Sequence, residues 1–357
     1  MYEHVLITGG AGFVGSSLAL DLRRRFPELR VTAFDNLYRR GSELNLPRLE
    51  RAGVRFVHGD VRCPEDLRGV GDAPGLLIEC SAEPSAQAGY GGSPEPLIRT
   101  NLDGCFHCLE YARTTGADFL FLSTSRVYPV AALNALAWRE DETRFSLAGE
   151  QATPGASAEG IAETFPLDGA RSLYGMTKLA GELLITEYAD AYGLRASILR
   201  CGLIAGPWQM GKSDQGVVTL WVAAHHFRRP LRYIGFGGTG KQVRDVLHID
   251  DLCDLVADQL ERFNSYAGRR FNAGGGLRHS TSLLELTKLC EEVTGNRIPI
   301  DAEAGNRPAD VRIYVTDQQL LRAASGWQPR RDVRTVVSDT CRWIRSEESA
   351  LKPLLGR

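Results

Sequence analysis

Neither sign of charge is in excess in this chain. Its 357 residues carry 42 Lys and Arg against 44 Asp and Glu, a formal charge of −2. Such a balance leaves no field to recruit nucleic acid or an anionic membrane, so neither is expected as a partner. Long apolar runs are also missing. None approaches the roughly 20 residues that a membrane-spanning helix needs. The opening stretch MYEHVLITGG leads straight into a strand pattern and lacks the charged and apolar regions of a signal peptide, so a soluble cytoplasmic protein is expected. Cysteine is present but scattered, at Cys63, Cys80, Cys105, Cys108, Cys201, Cys253, Cys290 and Cys341. The one CxxC, Cys105 to Cys108, has no second pair and no spaced histidines, so the thiols read as free and buried and no metal site is expected.

What is present is a rhythm. HVLITG, RVTAFD, VRFVHGD, GLLIECSA and DFLFLSTS read as strands, and helical patterns such as Phe13 to Arg25 and IRTNLDGCFHCLEYARTTG fall between them. Another helix, SLYGMTKLAGELLITEYADAYG, precedes the strand RASILR. Alternation of this kind predicts an α/β fold, a Rossmann-type doubly wound parallel sheet covered by helices on both faces. From about Leu203 the pattern loosens into Gly- and Pro-rich loops, short strands and a few helices. The expected division is therefore a nucleotide-binding domain over 1–200, with a return segment near 241–262, and a smaller mixed α/β substrate lobe over 201–357. Residues 130–172 show little periodicity and read as a long loop, functional or mobile.

The segment VLITGGAGFVGSSL follows one strand and opens a helix, with Gly9, Gly12 and Gly15 in a GxxGxxG spacing. Glycines there allow a tight turn and let backbone approach a pyrophosphate, while the helix N-terminus supplies N–H donors and a favourable dipole. Asp35 ends the second strand twenty residues after Gly15. A carboxylate at that place accepts the ribose hydroxyls and repels a 2′-phosphate, so NAD is favoured over NADP, although Arg39 and Arg40 keep NADP open. The expected cofactor contacts are Gly9, Gly12, Phe13, Val14 and Gly15 at the turn, Asp35 and Asn36 after the second strand, Asp60 and Val61 after the third, and Ser81 and Ala82 after the fourth. Asp60 alternatively caps the helix that follows it.

Tyr174 stands four residues before Lys178, so the two share a helix face. A free phenol has a pKa near 10, too high for a base at neutral pH. A nearby ammonium and an oxidised nicotinamide would both stabilise the phenolate, allowing it to take a proton from a sugar hydroxyl as hydride leaves the same carbon. A YxxxK pair alone is more often a surface pair of an amphipathic helix. Its context here is FLFLSTSRVYP, a strand ending in the hydroxyls of Ser123, Thr124 and Ser125.

Together these segments resemble the extended short-chain dehydrogenase/reductase family, in its nucleotide-sugar epimerase branch, over almost the whole chain. The resemblance implies Thr124, Tyr174 and Lys178 as the catalytic triad, with Ser123, Tyr174, Lys178 and Asn101 of IRTNLDG near the cofactor. It implies Arg244, in GTGKQVRDVLHIDDL, and Arg307, in NRPADVRIYVTD, as ligands of a nucleotide diphosphate. Glu83, Thr124, Ser125, Arg126 and Gln215 complete the implied substrate contacts. Within the branch the chain is similar to the 2-epimerases of CDP-sugars, through STSRVY, DETRF, SDQGVVTLWV (213–222) and GKQVRDVLH. It departs at Pro129 after VY, at SAEPS, which puts Glu83 in a glutamine place, and at Cys201.

The implied activity is an NAD-dependent epimerisation of a nucleotide-sugar, by oxidation to a transient ketone and return of the hydride to its other face. A CDP-sugar inverted at C2 is favoured and a UDP-hexose inverted at C4 is the alternative. A 4,6-dehydratase would carry Asp-Glu after the threonine, where this chain has Ser125 and Arg126. A catalytically inert NAD- or nucleotide-binding regulator would not need the triad. By the same resemblance, helices near 99–115 and 174–192 pair between subunits, so a homodimer or homotetramer is expected.

Overall fold

The apolar runs of the first half become one sheet. In this computed structural model, which describes residues 2–211 and 215–356, its strands are β1 (His4–Thr8), β2 (Arg30–Asp35), β3 (Arg55–His58), β4 (Leu76–Glu79), β5 (Asp118–Thr124), β6 (Ala196–Cys201) and β7 (Arg269–Ala273). Their spatial order is β7-β6-β5-β4-β1-β2-β3. β1 pairs in parallel with both β2 and β4, β2 with β3, and β4 with β5. The chain thus winds outward from β1 through β3, then returns to β4 and winds the other way. Ligands of such sheets sit at the carboxyl ends of the strands where that reversal occurs. β1 and β4 are buried at every position, which is why Val5–Ile7 and Leu76–Ile78 read as unbroken apolar runs.

Three helices matter for the site: α1 (Phe13–Arg25), α2 (Gly104–Thr115) and α3 (Leu173–Tyr192). α2 is preceded by a short helical turn, Glu95–Ile98, and by one turn of π-helix, Arg99–Asp103. It stops at Gly116, whose φ of 74° is the left-handed conformation that glycine adopts without strain. Leu109 of α2 and Ile185 and Tyr188 of α3 join Leu6, Leu77, Phe119 and Phe121 of the strands in one core.

The chain divides into two compact units. The first comprises Met1–Val127, Leu173–Arg200 and Leu252–Phe271; the second comprises Tyr128–Ser172, Cys201–Asp251 and Asn272–Arg357. In the second, Val243–His248 pairs in parallel with Leu203–Ala205 and Ile313–Tyr314, and antiparallel with Ser280–Ser282. Helices Val217–His226, Leu283–Thr294 and Val333–Ser346 pack on one another. The middle one opens with a reciprocal cap, Ser282 accepting from Glu285 N–H while the Glu285 carboxylate accepts from Ser282 N–H.

Residues 130–172 are not a bare loop. They hold a short helix, Val130–Asn134, and two hairpins, Trp138–Glu140 with Phe145–Leu147 and Ala156–Ser157 with Gly160–Ile161. Elements of two to five residues are too short for a hydrophobic period to register in the sequence. Among the described residues no helix is long and apolar enough to cross a membrane.

Candidate active site

The glycine turn is built by close approaches. Gly9 has φ +62°, and a Cβ there would lie 2.8 Å from the Cys80 carbonyl oxygen. A Cβ on Gly15 would be driven into the Gly9 carbonyl, 2.8 Å from its carbon. Gly12 differs, since its Cβ would meet only the Gly9 oxygen, at 3.1 Å. Gly12 is the N-cap of α1 and supplies no side-chain cap; the first turn, with Phe13 and Val14, holds no acidic residue. The first turn therefore presents N–H donors and a positive dipole with no acid of its own, which suits a diphosphate.

Asp35 accepts from Ala11 N–H at 3.1 Å and from Leu37 N–H at 2.8 Å, so the end of β2 is tied to the turn. Burial raises its carboxyl above the usual range, against the pull of those N–H groups. Asn36 donates to Asp60 at 2.9 Å, and Arg62 pairs with Asp60 at 2.5 Å. Burial works against ionisation of Asp60, but Arg62 and Asn36 outweigh it and bring its pKa to about 2. Val61 is buried and its carbonyl is bonded by His107 at 2.8 Å. Ser81 is buried and Ala82 partly so, immediately after β4.

Asn101 sits within the π turn. Its Oδ1 accepts from Glu83 N–H at 2.7 Å, while its Nδ2 donates to the Glu83 carbonyl and to Thr177 Oγ1, both at 3.1 Å. It therefore fastens the segment after β4 to α3. α3 packs along β5 and the turn Ser125–Val127. Thr124, at the end of β5, is buried, and its Oγ1 accepts from Arg126 N–H at 3.2 Å. Tyr174 is half-buried and Lys178 is buried to 2% exposure. Lys178 Nζ lies 3.3 Å from Glu79 Oε2 and 4.4 Å from the centre of the Phe121 ring. Burial alone would lower the Lys178 pKa, but Glu79 and Tyr174 raise it, so the residue stays an ammonium. Ser123 spends its hydroxyl on Glu182, at 2.5 Å, and Glu182 is paired at 2.7 Å with the wholly buried Arg200.

In the second unit Arg244 Nη2 lies 3.3 Å from Asp310 Oδ1, and Asp310 N–H donates to the Arg307 carbonyl at 3.2 Å. The structure thus brings Arg244 to the turn that carries Arg307. Gln215 is half-buried, and its Oε1 is buried without a hydrogen-bond partner. Ser213 and Asp214 of the SDQG stretch lie outside the described residues. The DETRF stretch has a structural role. Arg144 Nε donates to Glu285 at 2.8 Å and its Nη1 to Ser280 at 2.9 Å.

Residues 5–274 match the family described as NAD dependent epimerase/dehydratase. The chain belongs to that family. It is accordingly an enzyme with NAD as its cofactor, and the glycine turn with Asp35 is the part of the sequence that points to it. The chain is 30% identical to a CDP-paratose 2-epimerase of Salmonella typhi, over 96% of this chain and 99% of that one. It is 28% identical to a dTDP-glucose 4,6-dehydratase of Mycobacterium tuberculosis, over 98% and 96%. Among solved structures, the UDP-glucose 4-epimerase of Thermus thermophilus in complex with NAD superposes with a TM-score of 0.75 at 26% identity, covering 96% of this chain and 99% of that one.

Two buried acids beside the predicted site residues escape a reading of the sequence. Glu182 continues the stripe of Tyr174 and Lys178 by one more step of four residues, and that spacing is the signal that would have found it. Glu79 ends the strand LLIE, where an acid in an otherwise apolar, fully buried run demands a partner.

Proposed function

We propose that the protein is an NAD-dependent nucleotide-sugar epimerase that inverts C2 of a CDP-dideoxyhexose or a related CDP-sugar through a transient keto sugar. The reading is carried by one arrangement. Tyr174 and Lys178 share a face of α3, the helix packed against the end of β5, where Thr124 is followed by Ser125 and Arg126. A hydroxyl, a phenol and an ammonium can move a proton on and off a sugar oxygen. With no acidic pair after Thr124, nothing is placed there to expel water from the sugar, which favours epimerase over dehydratase chemistry. The end-to-end match to a CDP-paratose 2-epimerase supports the choice of sugar.

The glycine turn, Asp35 and the ends of β3 and β4 would hold NAD, which when bound supplies the acceptor and donor of hydride. Tyr174 then takes the proton of the sugar hydroxyl as the carbon is oxidised and gives it back as the carbon is reduced. Lys178 stabilises the phenolate and keeps donors available for a ribose, and Thr124 offers its hydroxyl to the substrate oxygen. Arg244 and Arg307 suit a diphosphate, because a guanidinium pairs with phosphate through a planar fork; Gln215, Glu83, Ser125 and Arg126 are proposed to contact the substrate. Firm anchoring of the nucleotide would leave the sugar to turn over between the two hydride steps. A homodimer or homotetramer that pairs α2 and α3 between subunits is proposed, on the exposed apolar side chains Phe106, Met176 and Leu183.

The decisive assay incubates the protein with CDP- and UDP-hexoses in ordinary and deuterated water and follows product stereochemistry by NMR. Inversion at C2 of a CDP-sugar without solvent deuterium on carbon is expected. Inversion only at C4 of UDP-sugars would select the alternative. Tyr174→Phe should abolish turnover and leave NAD bound; persistent turnover would remove Tyr174 from its assigned role.

A further inference from the structure

We propose that Glu79 is a positioning residue of the proton-transfer site, holding one donor of the Lys178 ammonium and offsetting the charge that Lys178 presents to Tyr174. The inference rests on the assignment of Thr124, Tyr174 and Lys178 above and adds a fourth member that the sequence pattern does not contain.

The geometry is closed on every side. Glu79 and Lys178 are each 2% exposed, 3.3 Å apart, at the end of β4 and on the inner face of α3. Phe121 of β5 lies under the ammonium at 4.4 Å, so no acceptor is offered from that direction. Cys105 and Cys108 of α2 face the pair, and burial raises both thiols, which keeps them neutral. Thr8 of β1 contributes only a neutral hydroxyl, and Ser81 only its backbone N–H, directed at Glu79. One turn further along α3, Glu182 is spent on Arg200 and Ser123. Besides Glu79, Tyr174 and then Cys105 are coupled to Lys178 by charge. Among the described residues, Glu79 is thus the carboxylate that answers this buried ammonium.

Two consequences follow. An ammonium has three donors, and one is fixed on Glu79, so the other two point along set directions. Burying an unpaired ammonium is also costly, and Glu79 makes the burial tolerable. Burial raises the Glu79 carboxyl, and Lys178 opposes that rise; we take the pair as ionised because, among the described residues, no other carboxylate pairs with Lys178. An ionised Glu79 makes the pair neutral overall, so Tyr174 feels a weaker positive field than from a lone lysine. The phenol then ionises at a higher pH than it would without Glu79.

The experiment is an ultraviolet pH titration of tyrosinate in the cofactor-free protein, with the Tyr174→Phe spectrum subtracted to isolate Tyr174. Glu79→Gln keeps the shape and an acceptor but removes the charge. It should move the Tyr174 midpoint down by about one pH unit, about tenfold more phenolate at a given pH below both midpoints. Glu79→Asp, which keeps the charge, should return the midpoint to near its wild-type value. An unmoved midpoint in a folded Glu79→Gln protein, or a shift upward, would overturn the proposal. Should Glu79→Gln fail to fold, infrared spectroscopy of the wild type at neutral pH decides: the absence of a protonated-carboxyl stretch is expected, and such a stretch assigned to Glu79 by its shift in Glu79→Asp would overturn it. The titration needs no turnover, so its outcome is separate from that of the Tyr174→Phe activity assay.

Discussion

Gly12 and Gly15 lie three residues apart in the same turn, yet alanine at each should fail in a different way. At Gly15 the atoms nearest the new methyl are all main chain: the Gly9 carbonyl, its carbon at 2.8 Å, and Gly10 Cα at 2.9 Å. None of these can rotate away as a side chain would. Overpacking of this kind costs about 1–3 kcal/mol, and immovable neighbours put it at the upper end. Replacing a helical glycine recovers at most about 1 kcal/mol of propensity, so a net loss of about 2 kcal/mol is expected. At Gly12 the backbone, with φ −70° and ψ 176°, suits any residue, and the only close neighbour is the Gly9 oxygen at 3.1 Å. The folding loss there should stay below about 1 kcal/mol. The space its methyl would fill is the space argued for the pyrophosphate. Urea denaturation read by circular dichroism and calorimetric titration with NAD separate the two effects. Gly15→Ala should lower the denaturation midpoint; Gly12→Ala should keep its midpoint near wild type while losing at least about tenfold in NAD affinity, about 1.4 kcal/mol. A folded Gly12→Ala protein with undiminished NAD affinity would refute the cradle, and a Gly15→Ala protein of wild-type stability would refute the packing argument.

Glu182→Leu leaves Arg200 charged at 0% exposure and should cost about 3–5 kcal/mol, whereas Glu182→Leu combined with Arg200→Met should recover most of that loss; equal losses in denaturant titrations would contradict the pairing. Asp60 has a folded pKa of about 2, below the roughly 3.9 of an unfolded chain. Its contribution is therefore complete above about pH 4 and lost as pH falls toward 2, and Asp60→Asn should flatten stability across that window by about 1 kcal/mol, a figure already reduced because Arg62 is about a third exposed. Leu183→Glu puts a charge on a side chain that is 60% exposed on α3, and sedimentation should show a monomer; an unchanged assembly would place the interface elsewhere.

Much of the first unit can be read from residues alone because its strands are buried and its punctuation is strong. GxxGxxG can only be a turn of this tightness when Gly15 must clear the Gly9 carbonyl, and the acid ending β2 is bonded back to that same turn. The stripe of Tyr174 and Lys178 is visible for the same reason, a period of four on a long helix. What stays hidden depends on distant partners. Glu79 is 99 residues from Lys178, and Ser123 is 59 from Glu182, so a serine that reads as a cofactor contact turns out to have a carboxylate for company. Arg144 stands out as part of a motif, but its engagement with the helix cap at Ser282 and Glu285 can come only from coordinates. The hairpins within 130–172 are invisible in the sequence because neither strand is long enough to establish a period.

The π turn Arg99–Asp103 fits one more residue into its span than regular α-helix would. Deleting a single residue there would let the helix regularise with the segments on either side still in phase, because the wide turn had already absorbed the extra residue. If the residue lost were Asn101, Glu83 and Thr177 would be released together, so a deletion that leaves the helix regular would still uncouple the strand end from the helix that bears the tyrosine and lysine.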